Sequence, residues 1–139
     1  MAAKYLYFRK ATTAATEDDE VTGSTIYPVS ALQGICSGTA ATTTGAVTDD
    51  ADAFTMFFKR KAAGPTGGED EAASDNVDMV IVAIATDNNQ RKVIHSILNS
   101  IETSRKSVFT VFDGGAGGAS IKAHSDIEDI TVFHVETAD

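Results

Sequence analysis

Cysteine, tryptophan and proline are scarce in this sequence of 139 residues, which has one cysteine, no tryptophan and two prolines. The single cysteine, Cys36, excludes an internal disulfide and a cluster of thiolate metal ligands, so nothing requires an oxidising compartment. We expect Cys36 to be a small, buried or half-buried hydrophobic residue. Long apolar runs are also missing, because no stretch approaches the roughly 18 consecutive apolar residues of a membrane-spanning helix. Residues 1–9 are too charged for a signal peptide, so we expect a soluble chain or one held in an assembly by side-chain contacts.

Basic residues are outnumbered, since eleven Lys and Arg stand against twenty Asp and Glu and the formal charge is −9. Such a charge repels phosphate backbones and anionic membranes, so we expect neither a nucleic acid nor a membrane as a partner. The length is typical of one domain, roughly 100 to 150 residues. Because no internal repeat and no linker divides the chain, the sequence predicts a single domain over residues 1–139.

The clearest structural pattern is a strand that leads into a helix. Residues 77–85 are apolar on both alternating faces, which is typical of a strand covered on two sides. Asp87 and Gln90 stand at the spacing of a capping box, in which the aspartate accepts from the first N–H groups of a helix and the glutamine reaches back. This pattern predicts one amphipathic helix over about residues 88–103.

Apolar residues recur at helical spacing along one face of this predicted helix. We expect the face to pack on the strand at residues 77–85, with Ile97 and Leu98 at its centre. The full set is Val93, Ile94, Ile97, Leu98 and Ile101.

Aromatic and β-branched residues predict further strands. Pro28 must end a strand or place it at a sheet edge, after which Ser30 can cap a short helical turn that Gly34 closes. One helix among about five strands predicts an α+β domain in which a mostly antiparallel sheet buries one face under the helix. The strands on either side of the helix can also pair in parallel through a right-handed crossover. The five strands cover residues 4–9, 53–59, 77–85, 107–112 and 130–135, with a buried anchor over 24–35.

A glycine-rich run, Gly114–Gly118, invites comparison with phosphate-binding loops. It lacks a following Lys-Ser or Lys-Thr, a strongly apolar helix after the glycines, and an acidic residue at the offset that a ribose would need. We therefore expect a flexible hairpin loop or a loop ordered by a neighbouring subunit.

The three histidines, His95, His124 and His134, include no pair at the i, i+4 spacing of a helical zinc site. We expect no transition-metal site. Neither Cys36 nor any serine stands in the sequence context of a catalytic nucleophile. The sequence predicts no catalytic residue and no residue that binds a cofactor or metal, and hence a protein that is not an enzyme and needs no cofactor.

Three acidic clusters offer the oxygen ligands that calcium prefers. None follows the spacing of a helix-loop-helix calcium site, so solvated loops and an assembly-linked calcium both remain open. The clusters are Asp49-Asp50-Asp52, Glu69-Asp70-Glu71 and Asp126-Glu128-Asp129.

Three segments carry a family resemblance: KYLYFRKAT at the start, STIYPVSALQGI in the middle, and DMVIVAIATDNNQRKVIHSILNSI later, set in a background rich in Ala, Thr, Gly and Asp. With these segments the chain resembles small structural proteins of marine tailed bacteriophages. The resemblance implies a non-enzymatic virion protein, made in the host cytoplasm, that binds the major capsid protein in many copies as a head decoration or cement protein. It also implies self-association on the capsid surface.

Two alternatives accompany this expectation. One is another virion position, at the neck, the tail or a fibre attachment. The other is a small soluble module whose ligand occupies a cleft between sheet and helix. For a structural protein, we expect contacts through the N-terminal segment or through the loops at Glu17–Glu20, Gly64–Glu71 and Gly114–Gly118.

Overall fold

The computed structural model describes residues 2–9, 24–40, 46–59, 77–114 and 121–135. Within these ranges the chain forms ten strands and one α-helix, which confirms a mixed α+β fold that is mostly sheet. A single turn of 3₁₀ helix (Val29–Ala31) separates the second strand from the third. The elements are β1 (Tyr5–Arg9), β2 (Ser24–Pro28), β3 (Leu32–Ser37), β4 (Thr39–Ala40), β5 (Val47–Thr48), β6 (Ala53–Lys59), β7 (Val77–Ile84), α1 (Gln90–Thr103), β8 (Val108–Asp113), β9 (Ile121–Lys122) and β10 (Ile127–Val135).

The strands form two four-stranded sheets and one small hairpin. In the first sheet the order is β2-β1-β8-β9, and the β1–β8 pair is parallel while the others are antiparallel. In the second sheet the order is β10-β7-β6-β3 and every pair is antiparallel. The hairpin pairs β4 with β5. Antiparallel pairing therefore dominates, as expected.

One buried cluster joins both sheets and the helix. It contains side chains of β1, β2, β6, β7, β8, β10 and α1. An aromatic group spans the sheets, because the Tyr27 ring of the first sheet stacks on the Phe58 ring of the second at a centroid distance of 4.4 Å and an interplanar angle of 10°. Phe8 meets the edges of both rings, at 6.5 and 5.8 Å, the arrangement that aromatic quadrupoles favour.

The expectation of one sheet with about five strands is wrong, since the described residues form about ten strands in three sheets. The reason is physical: β4, β5 and β9 have two residues each, which is too short to show an alternating pattern. The turn predicted to close at Gly34 is shorter than expected, because the chain becomes extended again at Leu32. The expected parallel crossover is also wrong: β8 pairs in parallel with β1, in the other sheet from β7.

The helix at about residues 88–103 is confirmed as α1, but its buried face is narrower than predicted. Val93, Ile97 and Ile101, spaced four residues apart, are buried. Ile94 is only half-buried, and Leu98, one turn further along the same side, is 40% exposed. Placing Leu98 at the centre of the buried face was therefore wrong, because the Ile94–Leu98 side lies at the margin of the contact with the core.

Candidate functional site: an apolar sheet face and an acidic cleft

The first sheet has one face toward the core and one face away from it. On β1, Leu6 and Phe8 are buried, so the alternation of a strand directs Tyr5, Tyr7 and Arg9 to the opposite side. Residues directly opposite each other on neighbouring strands share a face. The outward side chains therefore continue across the sheet to Pro28 and Ile26 on β2, Val108 and Thr110 on β8, and Ile121 on β9.

This outward side is unusually apolar. Six large hydrophobic side chains are exposed in the described part of the chain, and four of them lie here. Their exposed fractions run from 41 to 61%. We call Tyr5, Ile26, Val108 and Ile121 the outer apolar face. Clustered exposed apolar groups of this kind mark surfaces that contact another molecule.

Charged residues interrupt the outer apolar face, because Ile121 is the partner of Asp113 across β8 and β9 and therefore lies beyond the Arg9–Asp113 pair. An Arg9 guanidinium nitrogen lies 3.4 Å from a carboxylate oxygen of Asp113, its neighbour on the adjacent strand. At the start of β1, the backbone N–H groups of Lys4 and Tyr5 both donate to the Ser107 carbonyl, directly after the exposed Arg105 and Lys106 in the chain. The face therefore combines three apolar side chains on β1, β2 and β8 with a charged pair and a fourth apolar side chain on β9, and contact surfaces commonly mix apolar and polar groups in this way.

A cleft of about 390 Å³ lies elsewhere on the molecule, where β3 ends, β6 begins and α1 starts. We call it the acidic cleft. It brings the first predicted acidic cluster together with the helix start, which are distant in the chain. Its lining residues are Ser37, Gly38, Asp49, Asp50, Ala51, Asn88 and Gln90.

Hydrogen bonds fix the walls of the acidic cleft. The Thr39 hydroxyl donates to a carboxylate oxygen of Asp50 over 2.6 Å. The buried Gln90 amide donates from Nε2 to the backbone carbonyls of Asp50, at 2.8 Å, and Ala53, at 3.3 Å. The Asn88 N–H donates to the Ala51 carbonyl at 2.7 Å. The acidic loop and the helix start are thus held as one unit.

The acidic cleft keeps a negative charge. The hydrogen bond from Thr39 is the main cause that lowers the pKa of Asp50 below its ordinary value. The hydrogen bond shared with Asp50 and the charge of that carboxylate raise the pKa of Asp52, and the charge of Asp87 adds to this increase. The pKa values of these two neighbouring carboxyl groups are thus shifted in opposite directions, as expected for like charges in contact.

The expected capping box is wrong. The residue before the helix is Asn89, and its side chain makes no capping bond, while Gln90 serves the acidic cleft. Asp126 stabilises this turn instead: its carboxylate accepts from the Thr86 hydroxyl at 2.8 Å and from the Asn89 amide at 2.9 Å. These donors, with the hydrogen bond from Asn89 as the main cause, lower the pKa of Asp126.

The other predicted positions are dispersed. His95 is exposed on α1, and His124 accepts the Asp126 N–H at Nδ1 over 3.0 Å. His134 pairs with Asp78 across β10 and β7. Among the described residues, no group of three or more His, Cys, Asp or Glu is placed to hold a metal ion. The expectation of a buried Cys36 is wrong, because this residue is exposed on β3.

Several expected contact segments lie outside the described residues. These are the loops at Glu17–Glu20 and Gly64–Glu71, which include the second acidic cluster, and all of Gly114–Gly118 except its first residue. Gly114 is buried, and its N–H donates to the Arg9 carbonyl over 3.0 Å. The outer apolar face was missed, although β1 carried a signal for it: tyrosines alternate there with Leu6 and Phe8, so neither face of the strand is polar.

No helix in the described ranges is both long enough and apolar enough to cross a membrane. Comparisons of the chain with protein-family models, with curated proteins and with solved structures give no match.

Proposed function

We propose that this chain is a non-enzymatic virion structural protein, a multicopy decoration or cement protein that binds the major capsid protein on the capsid surface. The observation that carries the proposal is the outer apolar face, a group of exposed apolar side chains on one side of a four-stranded sheet. The bacteriophage resemblance of the three quoted segments supplies the virion context. The protein is made in the host cytoplasm and joins the shell from there.

The geometry of the outer apolar face suits a stationary contact. Its side chains stand on four hydrogen-bonded strands, so binding costs less ordering than docking through loops would. Tyrosine at the centre of a contact contributes a large area with few rotatable bonds. Many copies on a repeating shell, with contacts between neighbouring copies, multiply a modest affinity.

A small ligand-binding module is the second candidate, and the acidic cleft favours it. The cleft volume of about 390 Å³ falls within the range of small-molecule sites, roughly 300 to 1,000 Å³. Five of its seven lining residues have polar side chains and its carboxylates lie on exposed residues, whereas ligand sites are usually lined by apolar side chains with a few polar groups. The outer apolar face therefore supports the structural role better.

The decisive experiment locates the chain in particles of the phage that carries its gene. Mass spectrometry measures copies of this chain per copy of the major capsid protein, and electron cryo-microscopy finds their position. We expect a fixed multicopy ratio and density on the outer shell. Density at the neck or tail would replace the decoration role, and a monomer that turns over a small substrate and is absent from particles would overturn the proposal.

Surface variants test whether the outer apolar face makes the contact with the particle. Purified protein is added back to particles that lack it, and bound copies are counted. Tyr5→Ser combined with Ile121→Ser should weaken binding by at least about tenfold, because truncating interface anchors commonly costs more than 1 kcal/mol. Leu98→Ser changes another exposed apolar residue, on α1 and outside the outer apolar face; it is the control and should bind normally. Equal binding by all three proteins would contradict this use of the face.

A further inference from the structure

β3 is an edge strand that lacks two of the usual protections against pairing, charged residues and proline, and whose one protecting feature is a bulge in its first half. It ends the β10-β7-β6-β3 sheet, and in the described ranges no strand pairs with its other side. Its six residues, LQGICS, include no charged residue and no proline. Edge strands are normally protected by such residues, and an unprotected edge accepts another strand. A bulge between Leu32 and Gly34 leaves the second half of β3 as the regular part of this edge.

The register of β3 shows which backbone groups face outward. The Gly38 N–H donates to the Ala53 carbonyl over 2.9 Å, so these two residues form a hydrogen-bonded pair. Such pairs alternate with non-hydrogen-bonded pairs along an antiparallel ladder. Cys36 consequently faces β6, while Ile35 and Ser37 direct their N–H and C=O groups away from it. These two residues offer the four backbone groups that an added strand requires.

The outward-facing edge leads directly into the acidic cleft. Ser37 is both the last residue of β3 and part of the cleft lining. Two residues later, Thr39 holds the Asp50 carboxylate in place, and Asp49 lies beside it in the same lining. The lining contains no Lys or Arg. A strand added along β3 would therefore place its next side chain against the carboxylates of Asp49 and Asp50.

We propose that β3 binds an extended peptide segment as an added strand, and that a lysine or arginine of this segment enters the acidic cleft. The segment runs parallel to β3, so that its C-terminal side reaches the acidic cleft; its paired part is uncharged, like β3, and the basic residue follows the position opposite Ser37. Backbone hydrogen bonds supply affinity and the charged side chain supplies selection, as in other complexes formed by strand addition. The formal charge of −9 favours such a basic partner over a second copy of this chain.

The inference does not rest on the proposed virion function. The β3 edge belongs to the second sheet and the outer apolar face to the first. A chain that is absent from particles can still bind the peptide, and a decoration protein can fail to bind it. The two proposals therefore succeed or fail separately.

A peptide titration tests the inference. The probe is an acetylated, amidated hexapeptide, Thr-Val-Thr-Val-Thr-Arg, added to ¹⁵N-labelled full-length protein and followed by amide chemical shifts. We expect saturable changes at low-millimolar peptide, confined to Ile35, Ser37 and the Asp49–Ala51 segment. The same peptide with Glu in place of Arg should bind about tenfold more weakly, because attraction to the carboxylates becomes repulsion. Higher salt should reduce this difference.

Protein and peptide variants distinguish the contribution of the β3 edge to peptide binding from that of the acidic cleft. Ser37→Pro removes an outward N–H that β6 does not use, so binding should be lost while the melting temperature changes little. A peptide N-methylated at alternate residues leaves the protein intact and should also fail to bind. Asp49→Asn should weaken binding about fivefold, and Glu102→Gln, which changes the net charge equally near the end of α1, should not.

Three results would overturn the inference. The first is no change at β3 with low-millimolar Arg peptide. The second is equal binding of the Arg and Glu peptides. The third is a concentration-dependent dimer that produces the same shifts without peptide, since that would assign the β3 edge to a second copy.

Discussion

The hydroxyl of Tyr27 donates a hydrogen bond to a carboxylate oxygen of Asp78 over 2.7 Å, and both residues are fully buried. Tyr27 belongs to β2 and Asp78 to β7, so this bond joins the two four-stranded sheets inside the core. A buried carboxylate is costly unless its oxygens accept hydrogen bonds. The pair therefore contributes to how the sheets are aligned as well as to stability.

Replacing Tyr27 by phenylalanine should reduce the free energy of unfolding by about 1–3 kcal/mol, the usual cost of leaving a buried polar group without a partner. The ring that stacks on Phe58 is kept, so the loss reports the hydroxyl alone. Urea unfolding of both proteins measures the difference. Tyr5→Phe is the matched control: this tyrosine is exposed, and its variant should remain within about 0.5 kcal/mol of the parent protein.

Stability should also fall at alkaline pH because of Tyr27. Burial is the main cause that raises its pKa above the ordinary value of 10.0, and the hydrogen bond to Asp78 adds to the increase. The folded state therefore favours the neutral phenol. This contribution is complete below pH 10 and is lost progressively as the pH rises above 10 toward the folded-state pKa. The urea midpoint should decrease more steeply above pH 10 in the parent protein than in Tyr27→Phe, and parallel curves would contradict this assignment.

Two glycines of the β3 region should respond differently to alanine. Gly38 has φ of +107°, and a Cβ atom there would lie 2.3 Å from the Thr48 carbonyl oxygen. Gly38→Ala should destabilise the protein by about 1–3 kcal/mol, the cost of forcing a side chain into this backbone conformation. Gly34 has open space around its Cβ position, so Gly34→Ala should change stability by less than about 0.5 kcal/mol. Thermal melting compares the two, and similar losses would argue against the turn at Gly38.

Alanine substitutions at two neighbouring residues of α1 should also differ in their effect on stability. Ile97 is fully buried, and Ile97→Ala should cost about 2–5 kcal/mol. Leu98→Ala removes a side chain that is 40% exposed and should cost less than about 1.5 kcal/mol. Melting curves of the two variants test the orientation of the helix. A larger loss for Leu98 would mean that α1 is rotated about its axis relative to the core.

Metal chelation should leave the melting temperature unchanged. In the described part of the chain no three ligand side chains converge, and a structural metal would need such a set. Melting with and without EDTA, at matched ionic strength, provides the measurement. A decrease of several degrees that calcium reverses would instead assign a calcium site to one of the acidic clusters.

Local patterns predicted the parts of the fold that depend on local interactions. The two-sided apolar run became β7, in the middle of its sheet, and the helical spacing became α1. The start of α1 was not predictable in this way, because Asp126 stabilises that turn from 37 to 40 residues away in the chain. A capping pattern carries no information about such a distant competitor.

The candidate sites also combine features that local patterns predicted with features that depend on distant contacts. Asp49 and Asp50 were recognised as an acidic cluster, but their position beside the end of β3 depends on how β3 pairs with β6. The outer apolar face depends on β1 lying between β2 and β8, which no local pattern specifies. The acidic cleft and the outer apolar face could therefore not be predicted from the sequence, because both depend on pairing between distant strands.

The parallel pairing of β1 with β8 also affects the order of folding. Arg9 and Asp113 are neighbours in the sheet although 104 residues separate them in the chain. Contacts of such long range form slowly, because closing the intervening loop costs entropy before the contact stabilises anything. During synthesis β1 must wait until residues 108–113 have left the ribosome before it can form this pair. The outer apolar face is therefore assembled only after β8 and β9 have been made, so a chain that ends before them has no such surface with which to bind a partner early.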